Sequence, residues 1–255
     1  MFFIYVLVFC IGLIWGSFAN VIVSRLGIKE GIVGGRSECP KCLAKLHWYD
    51  LFPIFSYLEL RGKCRYCSET ISARYPLLES LTGLVFLGNF IKSWPSLDIN
   101  FIFSLIVSFL LLLIIFFDWE YFIIPDKISI PLSLSLIIFN FVFKSTDFFN
   151  LLLTGILSAL FFGIIFLVSN GRWMGFGDAK LALVIGLSLG YPLAFWSLLV
   201  SVWIAAIVGV LMIIAGKANM KTAMPFGSFM AGVAIIFLIF ANEIETKIKF
   251  INWIF

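Results

Sequence analysis

The residues best suited to chemistry are two aspartates, each placed at or near the end of a long apolar run. Asp118 opens the stretch Asp118-Trp-Glu-Tyr-Phe-Ile-Ile-Pro-Asp126, directly after the apolar run 100–117. Asp178 closes Gly175-Phe-Gly-Asp178, a few residues after the apolar run 150–169. A carboxylate at the rim of a lipid-facing segment is costly, so it turns toward a bundle interior and serves a function. Two of them, delivered by separate segments, supply a two-carboxylate site able to share a proton and act as acid and base. Each has a structural reading beside the chemical one. Asp178 before a helix is a good N-cap, and its glycines serve as ordinary loop residues. Asp118 at a helix C-terminus opposes the macrodipole but tolerates solvation at the interface. Asp126 after Pro125 suits a cap of the next helix, and Glu120 competes for the chemical role.

A second cluster is Cys39-Pro-Lys-Cys42 and Cys64-Arg-Tyr-Cys67, with 21 residues between the hooks. Paired CxxC hooks at this spacing close tetrahedrally on one Zn²⁺. The segment that carries them is too small for a good core of its own, so metal would supply folding energy. Redox chemistry is the rival reading, and a disulfide framework does not suit a reducing cytoplasm. Cys10 lies in an apolar run and reads as packing. His47 is the single histidine and falls in the cysteine segment, so no Ser/His/Asp triad forms elsewhere. Phosphate-binding and dinucleotide-binding glycine motifs are absent.

The elements that must position these groups are membrane helices. Of the 255 residues 62% are hydrophobic, and the mean hydropathy is +1.10, far outside a soluble domain. Apolar runs long enough for a hydrocarbon core of about 30 Å recur, and they lack the alternation of barrel strands. The chain therefore reads as an all-α polytopic membrane protein of about eight transmembrane helices. The expected spans are 2–23, 77–91, 100–117, 127–143, 150–169, 226–240 and two from 179–213, broken at Gly190-Tyr-Pro192. The first run has neither a charged leader before it nor a small-residue cleavage site after it, and reads as a retained helix. The tail 241–255 has the pattern of an interfacial amphipathic end. Three regions follow: a first helix at 1–23, a cytoplasmic four-cysteine module at 24–76, and a transmembrane domain at 77–255.

Loop charge sets the orientation. With eight spans, Lys92, Lys144, Lys247 and Lys249 fall on one side and the other 14 of the 18 Lys and Arg on the opposite side. That places the module, Asp118 and Asp178 together at the cytoplasmic face. The net charge of +4 does not point to nucleic acid, because half of the 18 Lys and Arg sit in one loop. Helix-end dipoles predict that Asp118, at a C-terminus, holds the shared proton and that Asp178, at an N-terminus, is the anion.

The ordered set of motifs resembles the type IV prepilin peptidases, the GxGD membrane aspartic proteases, over almost the whole chain. Gly16-Ser-Phe-Ala-Asn-Val21 with Arg25 is similar to the first-helix motif of that family, and the four cysteines to its cytoplasmic zinc module. Arg74-Tyr-Pro-Leu-Leu-Glu79, Asp118 with Pro125-Asp126, Gly175-Phe-Gly-Asp178-Ala-Lys180 and Pro225-Phe-Gly227 follow in the family order. The resemblance implies catalysis by Asp118 and Asp178 and a zinc site at Cys39, Cys42, Cys64 and Cys67. It also implies removal of a basic leader from prepilins or pseudopilins at the cytoplasmic face of the bacterial inner membrane. S-adenosylmethionine-dependent N-methylation of the new N-terminus is implied by the resemblance alone. The rival readings are a proton-coupled transporter using the two aspartates as a relay, and an assembly protein whose zinc module docks a partner.

Overall fold

The computed structural model describes residues 2–27, 37–144, 146–219 and 222–254, and the side chains of those up to 247. Among them the chain is helical, with two isolated β-bridges and no strands. Ten α-helices run α1 (Phe2–Gly27), α2 (Phe55–Glu59), α3 (Arg74–Ser93), α4 (Ile99–Tyr121), α5 (Asp126–Phe143), α6 (Phe148–Ser169), α7 (Phe176–Leu189), α8 (Leu193–Ile214), α9 (Phe226–Ile239) and α10 (Ala241–Ile254). Two compact units result, Met1–Leu105 and Ile106–Phe255.

In the first unit α1 packs along α3. Small residues set the spacing: a Cβ on Gly12 would lie 2.7 Å from the Gly83 backbone. Close backbone approach of this kind is how apolar helices gain packing without a hydrophobic drive in lipid. Between the two helices lies the cysteine segment, with a 3₁₀ turn at Trp48–Leu51 followed by α2.

The second unit is built around α7, which touches α5, α6, α8 and α9. Leu181, Ala182, Val184, Ile185 and Leu187 are all buried, so this helix is apolar on every side for a packing reason. It crosses α6 tightly, since a Cβ on Gly186 would meet the Gly155 Cα at 2.5 Å. Its C-terminal end is tied down by the buried Asn140, whose Nδ2 donates to the Leu187 carbonyl at 2.8 Å. The expected break follows at Gly190 (φ +67°). There Asn150 both donates to the Tyr191 carbonyl and accepts its N–H, each at 3.1 Å.

Among the described residues five helices, α1, α4, α5, α6 and α8, are long and apolar enough to cross a membrane; a sixth span results if α9 and α10, bent by 86° at their junction, are counted as one. The expected count of eight is therefore not reached on length and composition, because α7 and α9 have 14 residues each and α3 carries Arg74, Glu79 and Lys92. Helix ends moved by a few residues. α4 continues through Asp118 to Tyr121, and α3 begins at Arg74, ahead of Pro76.

Candidate functional site

The four cysteines of the first unit come together. Their Sγ atoms all lie within 4.8 Å of one another, and among the described residues they are the one group of metal-ligand type. Cys39 and Cys67 Sγ are 3.9 Å apart, close to the edge of about 3.8 Å expected of a tetrahedron with Zn–S bonds near 2.3 Å. The two hooks are copies of one another. Cys39 N–H donates to the Ala44 carbonyl and Cys64 N–H to the Glu69 carbonyl; Leu43 N–H returns to Cys39 and Ser68 N–H to Cys64. The fifth residue of each hook is left-handed, Leu43 at φ 57° and Ser68 at φ 59°. This repetition is visible in the sequence at a 25-residue offset once Cys39–Lys45 is laid over Cys64–Thr70. Backbone N–H groups of Cys42 and Lys41 outweigh burial and bring the Cys39 thiol down to about 7, so a thiolate ligand is within reach near neutral pH.

The module is tied to its surroundings by carboxylates. Asp50 accepts from His47 N–H at 3.1 Å, Arg65 Nε at 2.9 Å and Tyr66 Oη at 2.9 Å, joining the 3₁₀ turn to the second hook. Burial raises the Asp50 pKa, but these three donors more than offset it and leave the carboxyl below its ordinary value. His47 stacks on Tyr49 and is not among the clustered ligands.

In the second unit the structure brings Asp118 and Asp178 together. They come from α4 and α7, are 5% and 8% exposed, and the Asp118 charge acts directly on Asp178. Glu120, the competing carboxylate, is exposed. The N-cap of α7 is Gly175, and Asp178 lies inside the first turn, so Asp178 is not the helix cap. Asp126 is likewise inside α5, with Pro125 as its N-cap. It pairs with Lys180, two residues beyond Asp178.

Sequence reasoning missed the partner of Asp118. Ser228, in the first turn of α9, donates its backbone N–H to Asp118 Oδ2 at 2.6 Å, and its Oγ lies 3.1 Å from the same oxygen. The Pro225-Phe-Gly227 motif held the signal, because a helix N-terminus that follows it exposes unpaired N–H groups. The expected assignment of the shared proton compared the end of α4 at Asp118 with the start of α7 at Asp178. With α9 also facing Asp118, both aspartates meet a helix N-terminus, which offsets the helix-end part of that comparison.

One side chain accounts for glycines in both motifs. The buried Ile124 fills the space a Cβ would need on Gly177, at 3.0 Å, and on Gly227, at 2.9 Å. The same Cβ on Gly227 would lie 3.1 Å from Asp118 Oδ2. These glycines are thus packing requirements around the carboxylates, not loop residues of convenience.

Residues 10–93 match the Bacterial Peptidase A24 N-terminal domain, and residues 105–214 match the Type IV leader peptidase family. Several relatives carry the name prepilin leader peptidase/N-methyltransferase. That of Bacillus subtilis (strain 168) is 30% identical over 93% of this chain and 95% of its own length. That of Legionella pneumophila is 30% identical over 98% of this chain and 94% of its own. That of Myxococcus xanthus (strain DK1622) is 33% identical over 85% of this chain, a match taking in 66% of that relative. No solved structure matches the chain significantly. With the motifs in order, the cysteines clustered and the aspartates paired, the chain belongs to the type IV leader peptidase family.

Proposed function

We propose that the chain is a membrane aspartic endopeptidase that removes the basic leader of type IV prepilins or pseudopilins and then N-methylates the new N-terminus. The observation that carries this reading is the pair of buried carboxylates, Asp118 and Asp178, held on separate helices within direct electrostatic reach. Two such groups share a proton. The ionised one takes a proton from water as its oxygen attacks the scissile carbonyl, and the protonated one hydrogen-bonds the carbonyl oxygen. Collapse of the tetrahedral species breaks the C–N bond, with a proton passing to the leaving amine, and leaves one proton on the pair. Ser228 holds Asp118 Oδ2 in place during both steps, and Ile124 fixes the loop between α4 and α5 against the glycines.

The substrate's apolar segment lies in the bilayer and its basic leader in the cytoplasm. That face carries the 24–76 module and the loops before α5, α7 and α9, counting α3, α7 and α9 as membrane helices of the bacterial inner membrane. The division into 1–23, 24–76 and 77–255 is then one of role: membrane anchor, metal module and protease. Cys39, Cys42, Cys64 and Cys67 fit Zn²⁺ and would hold it as a structural ion. S-adenosylmethionine is the methyl donor by analogy with the relatives' names, and no residue is assigned to it. The transporter reading draws no support from the relatives.

The experiment is cleavage of a prepilin by the purified, membrane-reconstituted protein. Asp118→Asn and Asp178→Asn each abolish cleavage while inserting normally, since Asn keeps the size and loses the acid–base function. Asp126→Asn retains most activity. Appreciable turnover by either of the first two variants removes the assignment of the pair.

A further inference from the structure

The segment that reads as part of a soluble module carries a face unlike a soluble surface. Trp48, Phe52, Phe55 and Leu58 are 78%, 53%, 63% and 64% exposed, and Phe52 and Phe55 pack edge to face at 5.7 Å. At about 200 Å² per aromatic side chain they present roughly 500 Å² of apolar surface, which a water-facing segment of this size does not leave open without a partner.

The backbone shows where this face sits. Ser17 Oγ donates to the Leu51 carbonyl at 3.4 Å, and Ser17 is about 15 Å back from the cytoplasmic end of α1 at 1.5 Å per residue. Glu79, buried in α3, accepts the Ile54 N–H at 2.8 Å. It holds a β-branched residue in the left-handed region, φ +60°. Glu79 is five residues, about 7 Å, inside the start of α3. The 3₁₀ turn and α2 are therefore folded back against α1 and α3; with both taken as membrane helices, as the proposed function has them, this is the depth where aromatic belts meet headgroups. Beyond Glu59, which pairs with Arg65, Arg61 and Lys63 add positive charge beside the segment, which suits the anionic cytoplasmic leaflet.

We propose that residues 48–58 form an interfacial anchor whose aromatic face inserts into the cytoplasmic leaflet of the bilayer, with Ser17 and Glu79 fixing its depth. The cysteine hooks then hang from a membrane-seated base instead of standing free in the cytoplasm. The alternative occupant of such a face, the apolar segment of a protein substrate, is separated by the test.

The full chain, metal-loaded, is reconstituted in phosphatidylethanolamine/phosphatidylglycerol vesicles. A fluorescent amino acid replaces Phe55 by amber suppression, with Leu58 as a second position and Lys41 as a water-facing control. Lipids brominated along the acyl chain should quench the probe at 55 and 58 severalfold more than at 41, and aqueous iodide should show the reverse order. Comparable iodide quenching at all three positions overturns the proposal. So does a probe at 55 that ignores brominated lipid but is shielded from iodide by an added prepilin peptide, which would make the face a substrate surface.

Discussion

Ser228 has one hydroxyl proton and two acceptors for it, the Ile115 carbonyl at 2.9 Å and Asp118 Oδ2 at 3.1 Å. When Asp118 is the anion the hydroxyl turns to it; when Asp118 carries the proton the hydroxyl is free to turn to Ile115. The backbone N–H stays on Asp118 in both states. Ser228→Ala therefore removes the adjustable donor and keeps the fixed one. A hydrogen bond to a charged group contributes about 1.5–3 kcal/mol, and with the N–H retained we expect the low end, a loss of about tenfold in kcat at about 1.4 kcal/mol per decade. KM should change less than kcat, because the hydroxyl's partners are Asp118 and the Ile115 carbonyl; a shift confined to KM would show that it lies in the binding path. Asp118 and Asp178 were legible in the sequence because a carboxylate beside an apolar run is rare and costly. Ser228 was not, because a serine after a glycine has no such cost, and its role exists only once α9 is brought against α4.

At the scale of elements, the helices were legible from apolar runs and their ends were not. α4 was expected to stop at the charge, yet it continues through Asp118, which finds its donors on α9 and has no need of solvent. The short α7 was legible through its Gly190-Tyr-Pro192 break, whereas its central place was not, since uniform apolarity carries no directional pattern. The glycine at the start of α9 offers a test. Gly227→Ala puts a methyl against Ile124 and the Asp118 carboxylate, so cleavage should fall by an order of magnitude or more at about 1–3 kcal/mol of overpacking. Gly163→Ala, inside α6 with nothing within 4 Å, should leave activity alone and leave thermal stability equal or slightly higher. Equal effects of the two would remove the packing argument. Asp50 sets a pH limit on the cysteine module. Its folded carboxyl lies below the ordinary value, so its stabilisation is present above the unfolded pKa and is lost as pH falls through the folded one. Protease susceptibility of residues 47–66 should rise across that acid range, and Asp50→Asn should show the same susceptibility at neutral pH.

For the whole molecule, the division into two units puts the clustered cysteines in one and the paired aspartates in the other. The cysteines lie in Met1–Leu105 and the aspartates in Ile106–Phe255. The purified protein should hold about one Zn²⁺ per chain, from four thiolates per tetrahedral site, as elemental analysis would measure. Chelation should cost methylation more than cleavage, because the carboxylate pair uses no metal. Equal loss of both would mean that the module supports the protease directly. The pairing of cysteines was legible from their spacing; the seating of the module was not, because Glu79 and Ser17 reach it from helices far away in sequence.

The two short helices of the second unit carry a further consequence. α7 and α9 have 14 residues each, about 21 Å at 1.5 Å per residue, against a hydrocarbon core of about 30 Å. Asp178 and Ser228 both lie in first turns, so one end of each helix stops short of where an ordinary bilayer would end. α7 is enclosed by α5, α6, α8 and α9, so with both helices taken as spans the shortfall falls to protein and water at their first turns, not to lipid. In the proposed reaction the attacking water must reach two carboxylates that are only 5% and 8% exposed, and short helices that begin at their level would shorten the path it travels.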